Sequence, residues 1–216
     1  MLKKTIYPKT TRLGKDTSGV LITEKLDGSN LSFLKRHDDD ELYIAQRNII
    51  FTLEELLSDD KVIEQKLYKN LKPWLAEHGE DLKERLNNGS AICGEWLGMG
   101  GKINYKERLD KLFYMYAKAN VKEDFGLYNI YYDHTLFNYP FVDQEFPTYI
   151  GRVPAIEALS EFPTVEKMDY LYKVYVKQLN DYHDTEQRVE GFCVTDGETI
   201  RKYVRLKNGK LTEHTV

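Results

Sequence analysis

The chain has 216 residues, 41% of them hydrophobic, which is enough for one sizeable domain with a real core. Its 31 Lys and Arg against 35 Asp and Glu give a net charge of −4, excluding the global basic field that binds nucleic acid non-specifically. Two cysteines, Cys93 and Cys193, exclude a disulfide framework or a zinc knuckle and read as reduced core residues in strands. The start Met-Leu-Lys-Lys lacks the apolar stretch of a signal peptide, and no run approaches the roughly 18 apolar residues of a membrane span. A soluble, intracellular protein working in the cytoplasm without membrane contact is therefore expected.

In chain order, Val20 to Glu24, Leu31 to Lys35 and Leu42 to Gln46 read as short strands, separated by Asp27-Gly28 and by Asp38-Asp39-Asp40. They suggest an antiparallel meander. From Thr52 the spacing turns helical: Thr52 suits a cap, Glu54 and Glu55 a first turn, and Leu53, Leu56 and Leu57 share a face. Helical segments continue through Leu71 and from Glu80 to Leu86, interrupted by Pro73 and Gly79 and ended by Asn87-Asn88-Gly89. Ala91 to Leu97 and Leu112 to Ala117 are strand-like, with Gly98-Met99-Gly100-Gly101 a flexible link between them. A helix follows from Val165 to Leu179, capped by Thr164, and Val189 to Thr195 with Thr199 to Arg205 forms a hairpin across the two-residue turn signal Asp196-Gly197. Strands, then helices, then strands again predict a single α+β domain over residues 1–216.

The stretch Glu24-Lys25-Leu26-Asp27-Gly28-Ser29-Asn30 follows the apolar run Val20-Leu21-Ile22. A lysine at a strand end, beside a carboxylate and a glycine that allows close backbone approach, is one way to present an amine nucleophile to a phosphate. Further elements stand at or inside predicted strands. Arg47-Asn48 closes the third; Glu95 follows Gly94 in an apolar strand, where a charge is costly to bury unless it binds something. Phe113-Tyr114-Met115-Tyr116 offers aromatic faces that serve either core packing or stacking. Glu190-Gly191 repeats the glutamate-strand arrangement, and Lys202 and Arg205 place two cations on the last strand.

In this order and spacing, from about Thr23 to the C-terminus, the chain resembles the covalent nucleotidyltransferases, the ATP-dependent RNA and DNA ligases and mRNA capping enzymes, and is closest to the RNA ligases. The resemblance implies antiparallel sheets flanked by helices in an ATP-grasp-like catalytic domain, with the nucleotide between the sheets. It implies that Lys25 attacks the α-phosphorus of ATP, giving a lysyl-adenylate. A free lysine has a pKa near about 10.4, so the amine must be freed by desolvation, neighbouring cations or a metal. By the same resemblance Lys202 and Arg205 hold the phosphates, although Arg205 with Lys207 is the other possible pairing. Glu95 contacts the ribose and Glu190 associates with Mg2+ or Mn2+, with hard oxygen donors suiting both carboxylates as metal ligands. Tyr116, or else Phe113, stacks on adenine; Arg47 contacts a phosphate or the incoming strand end; Asp27, Gly28 and Asn30 shape the pocket floor, and Glu24 lies near the base. Ala117 stands where members often carry an aspartate. The implied activity is ATP-dependent sealing of RNA 5′-phosphate and 3′-hydroxyl ends at breaks or nicks, with no room for a C-terminal OB-fold. The alternatives are a small DNA ligase, a capping-type guanylyltransferase, or a non-catalytic nucleotide- or RNA-end-binding module.

Overall fold

Backbone pairing sorts the strands into two main sheets in the computed structural model, which describes residues 11–12, 20–58, 70–105, 107–197, 199–207 and 210–211. The chain divides into two compact units built from interleaved segments. One contains Gly28–Met99 and Lys111–Arg152; the other draws on Lys9–Asp27, Gly100–Asp110 and Val153–Val216. Among the described residues no helix is long and apolar enough to cross a membrane.

The first unit carries a seven-stranded sheet: β3 (Ser29–Leu34), β4 (Tyr43–Ala45), β5 (Ile50–Thr52), β6 (Ser90–Trp96), β7 (Phe113–Val121), β8 (Leu127–Tyr131) and β9 (Ile150–Arg152). Its order is β5-β4-β3-β6-β7-β8, with β9 parallel to β7. Two helices, α1 (Leu53–Ser58) and α2 (Leu71–Arg85), belong to the same unit. Thr52 begins α1 as expected, through a reciprocal capping box: its hydroxyl accepts the Glu55 N–H at 3.1 Å, and the Glu55 carboxylate accepts the Thr52 N–H at 3.0 Å. The expected break in the second helix does not occur. Pro73 lies in the first turn of α2, where a missing N–H costs little, and Gly79 lets α1 approach, since a Cβ there would meet the Leu53 side chain at 2.8 Å. The core face joins Leu31, Phe33, Ile92 and Phe113 to Trp74, Leu75 and Leu82 of α2.

The second unit carries a five-stranded sheet of order β1-β12-β11-β2-β10, from β1 (Thr11–Arg12), β2 (Val20–Lys25), β10 (Ala155–Leu159), β11 (Gly191–Thr195) and β12 (Ile200–Val204). A short pair, β13 (Leu206–Lys207) and β14 (Lys210–Leu211), follows. The amphipathic helix α3 (Val165–His183) packs Met168, Leu171 and Tyr172 on Ile22, Phe192, Val194 and Tyr203. Thr164 caps it as predicted, accepting the Lys167 N–H at 3.2 Å. Two expectations are corrected. The meander from β2 to β4 does not form, because β2 pairs with β10 and β11 whereas β3 pairs with β4 and β6. The final hairpin is present, but its loop is longer than two residues, because Thr195 pairs with Ile200. Asp196 holds that loop by accepting the Thr199 N–H at 2.7 Å. Cys93 lies in β6 and Cys193 in β11.

Candidate active site

Lys25 is the last residue of β2, a strand flanked on both sides by neighbours and so held in register along its length. It stands opposite Gly191, and its ammonium forms an ion pair with Glu190. Burial pushes the Glu190 carboxyl above its ordinary value, and the adjacent Lys25 charge pulls it part of the way back. The next row on that face of the sheet is Thr23, Cys193 and Lys202. An amine, a carboxylate able to accept its proton and a second cation thus share one side of a single sheet.

Strand alternation separates one sequence-predicted residue, Glu24, from this group. Glu24 points to the other face of β2, where it is 1% exposed, and is tied to Arg108 through bonds of 2.6 and 2.8 Å. The Tyr175 hydroxyl donates to it at 2.8 Å, and burial beside this carboxylate pushes the Tyr175 pKa up, so the hydroxyl stays a donor. The Glu24 side chain is therefore a buried anchor on the face of β2 opposite Lys25. The Arg205 guanidinium stands 3.7 Å from Asp169 of α3, the carboxylate that also accepts the Tyr203 hydroxyl, while Lys202 lies on the Lys25 face of the sheet. Lys207 is exposed in β13. Asp27 orders backbone: its carboxylate accepts the Lys102 N–H at 2.8 Å, and its own N–H donates to the Tyr105 hydroxyl at 2.7 Å. The stretch after the Gly98–Gly101 link, read as flexible, is pinned at both these points.

The other sequence-predicted residues cluster within the first unit. Asn30 of β3 pairs in register with Glu95 of β6, so both side chains leave the sheet on one face. The Glu95 carboxylate accepts the Gly28 N–H at 3.2 Å. Gly28 is required there, because a Cβ would meet the Trp96 carbonyl oxygen at 2.5 Å. A bulge between Cys93 and Gly94 leaves Tyr116 of β7 outside the ladder, and its hydroxyl bonds the Asn30 amide while its ring stacks on Tyr132 with centroids 6.4 Å apart. The Asn30 carbonyl oxygen is buried without a protein partner. Phe113, the alternative stacking ring, is 0% exposed and packs edge-on against Phe33. Arg47 is exposed in the turn between β4 and β5, at the sheet end that carries Asn30. Among the described residues no group of three or more His, Cys, Asp or Glu is arranged to hold a metal.

Sequence reasoning missed Arg108 and Tyr175. Neither stands in a recognisable motif, and their partner Glu24 lies 84 and 151 residues away along the chain.

Two β-sheets flanked by helices, with a strand-end lysine paired to a glutamate, define the nucleotidyltransferase type of fold. The sequence profile of the RNA ligase family matches residues 18–208, and the chain belongs to that family. No curated protein matches it in sequence. Among solved structures it is similar to Naegleria gruberi RNA ligase with PPi, at a TM-score of 0.53 and 16% identity, covering 94% of this chain and 58% of that one. An apo mutant of the same ligase gives 0.51 and 15%, covering 94% and 60%. A mutant with AMP and Mn gives 0.51 and 15%, covering 94% and 57%. The chain thus spans about three fifths of the length of these structures, and at such identity the likeness concerns the fold.

Proposed function

We propose that the chain is an ATP-dependent RNA ligase that seals 5′-phosphate and 3′-hydroxyl ends in the cytoplasm. The observation that carries this reading is the Lys25–Glu190 pair at the end of an interior strand, in a chain of the RNA ligase family. The solved relatives with PPi and with AMP and Mn support a nucleotide substrate and a divalent cation. In the first step Lys25 Nζ passes a proton to Glu190 and forms a bond to the α-phosphorus of ATP; the bond to the bridging oxygen breaks and pyrophosphate leaves. Glu190 is suited to accept that proton because burial has already raised its carboxyl. Lys202 offsets the charge that grows on the α-phosphate oxygens. Tyr116 stacks on the adenine, Glu95 takes a ribose hydroxyl, and the unpartnered Asn30 oxygen offers an acceptor beside them. An RNA 5′-phosphate oxygen then displaces Lys25 from phosphorus, giving AMP-capped RNA. Finally a 3′-hydroxyl attacks the capped phosphate and AMP departs.

Glu190 fits Mg2+ or Mn2+ as a largely buried carboxylate with hard oxygen donors. Mg2+ is commonly held by one or two carboxylates with substrate phosphates, so a protein cage is not needed, and Glu95 is the second carboxylate the sequence offers. Such an ion would supply positive charge to the phosphate oxygens.

The reading is tested on matched nicked and single-stranded substrates, with ATP or GTP as the only nucleotide. Faster sealing of RNA than of all-DNA nicks, dependent on ATP, is expected. Preference for DNA nicks sinks the RNA assignment, and covalent labelling from GTP alone points to capping.

A further inference from the structure

The segment between Gly100 and Asp110 belongs to the same unit as Lys25 and touches the chain on each side of Lys25 and on the near side of Glu190. Arg108 holds Glu24, the residue before Lys25, with both terminal nitrogens, and its Nη2 also donates to the Arg188 carbonyl at 3.3 Å, two residues before Glu190. Its guanidinium lies over the Tyr105 ring at 5.1 Å, and the Tyr105 hydroxyl accepts the Asp27 N–H, two residues after Lys25. Glu107 adds a second fastening to the loop before Glu190, accepting from Thr185 Oγ1 at 2.8 Å and Gln187 Nε2 at 3.1 Å. The nucleophile is therefore fixed before and after, and its carboxylate partner is fixed through the same side chain.

We propose that Arg108 is a positioning residue for nucleotidyl transfer, setting the Lys25–Glu190 geometry through Glu24 and the Arg188 carbonyl without touching substrate. The inference rests on Lys25 being the nucleophile. Only arginine can serve both partners, because its planar fork spans two carboxylate oxygens and still reaches a carbonyl, whereas a lysine offers a single charged nitrogen. Near-attack geometry is sensitive to small displacements, and a shift of about 1 Å costs up to about 100-fold in rate.

The test compares the parent chain with Arg108→Lys and Tyr175→Phe in single-turnover covalent labelling by α-labelled ATP, over a range of ATP concentrations and well below each unfolding temperature. Arg108→Lys should lower the maximal labelling rate by at least about tenfold, leaving the half-saturating ATP concentration within about twofold. Tyr175→Phe, which removes one bond to Glu24 and little volume, should lower the maximal rate about threefold in the same pattern. Folded variants labelling at the parent's maximal rate, or losing only ATP affinity, overturn the proposal. If Arg108→Lys does not fold, Tyr175→Phe decides by the same criteria. A parent chain that takes no label overturns the Lys25 assignment beneath it, an outcome seen before any variant is compared.

Discussion

Replacing Glu24 by glutamine should destabilise the protein sharply while changing almost no volume. The Arg108 and Glu24 side chains are 4% and 0% exposed, so little solvent screens the pair, and the glutamine leaves the guanidinium buried without its counter-charge. Removing one partner of a buried ion pair costs about 3–5 kcal/mol. In a protein of this length each kcal/mol moves the unfolding midpoint by about 2–4 °C, so the midpoint should fall by about 6–20 °C. Calorimetry of Glu24→Gln beside the exposed control Glu161→Gln measures this, with the control expected within about 2 °C of the parent. A Glu24→Gln midpoint as close to the parent as the control's would refute the view of Glu24 as a buried anchor.

The raised Glu190 carboxyl makes a prediction about pH. The folded state holds that proton more tightly than the unfolded chain, so the stabilisation is complete below the ordinary value of 4.5 and is lost as pH rises through the folded value. Denaturant titrations should show Glu190→Gln gaining on the parent as pH climbs through that interval; parallel curves would contradict it. Tyr116→Ala should raise the half-saturating ATP concentration about 5- to 100-fold by removing a stacking face, whereas Phe113→Ala should instead cost about 3–5 kcal/mol of stability. ATP titrations and unfolding curves separate the two, and an exchange of the two effects would reverse the assignment. Lys202→Ala should slow labelling by about 100-fold or more, and Arg205→Ala by less than about tenfold, since its ion pair with Asp169 is long and partly exposed. Single-turnover rates decide; a larger loss at Arg205 would restore it to the phosphate site.

How much could be read in advance differs from residue to residue. Lys25, Glu95 and Glu190 stand out in the sequence because each sets a charge within or at the end of an apolar strand, where burial penalises it, and such positions mark themselves in one dimension. The buried ion pair of Glu24 does not show in the sequence, because strand alternation sends it to the opposite face from Lys25, where its partners come from distant segments. The division into two units was hidden for a similar reason: the chain passes between them at Asp27–Gly28 and Met99–Gly100, inside short turns with no change in composition. Arg205 shows the limit of counting along a strand, since β12 ends at Val204 and the alternation that places Lys202 no longer applies one residue later. The helix α2 runs through Pro73 and Gly79 because one occupies a first turn and the other a close helix contact, neither of which sequence pattern reveals.

The central claim is that the Lys25 amine forms a covalent bond to AMP. Incubation with α-labelled ATP and Mg2+ or Mn2+, followed by denaturation and peptide mapping, tests it directly. The account predicts one labelled peptide containing Lys25 and no label on Lys25→Ala. A parent chain that stays unlabelled, or a Lys25→Ala chain that labels equally well, would contradict it.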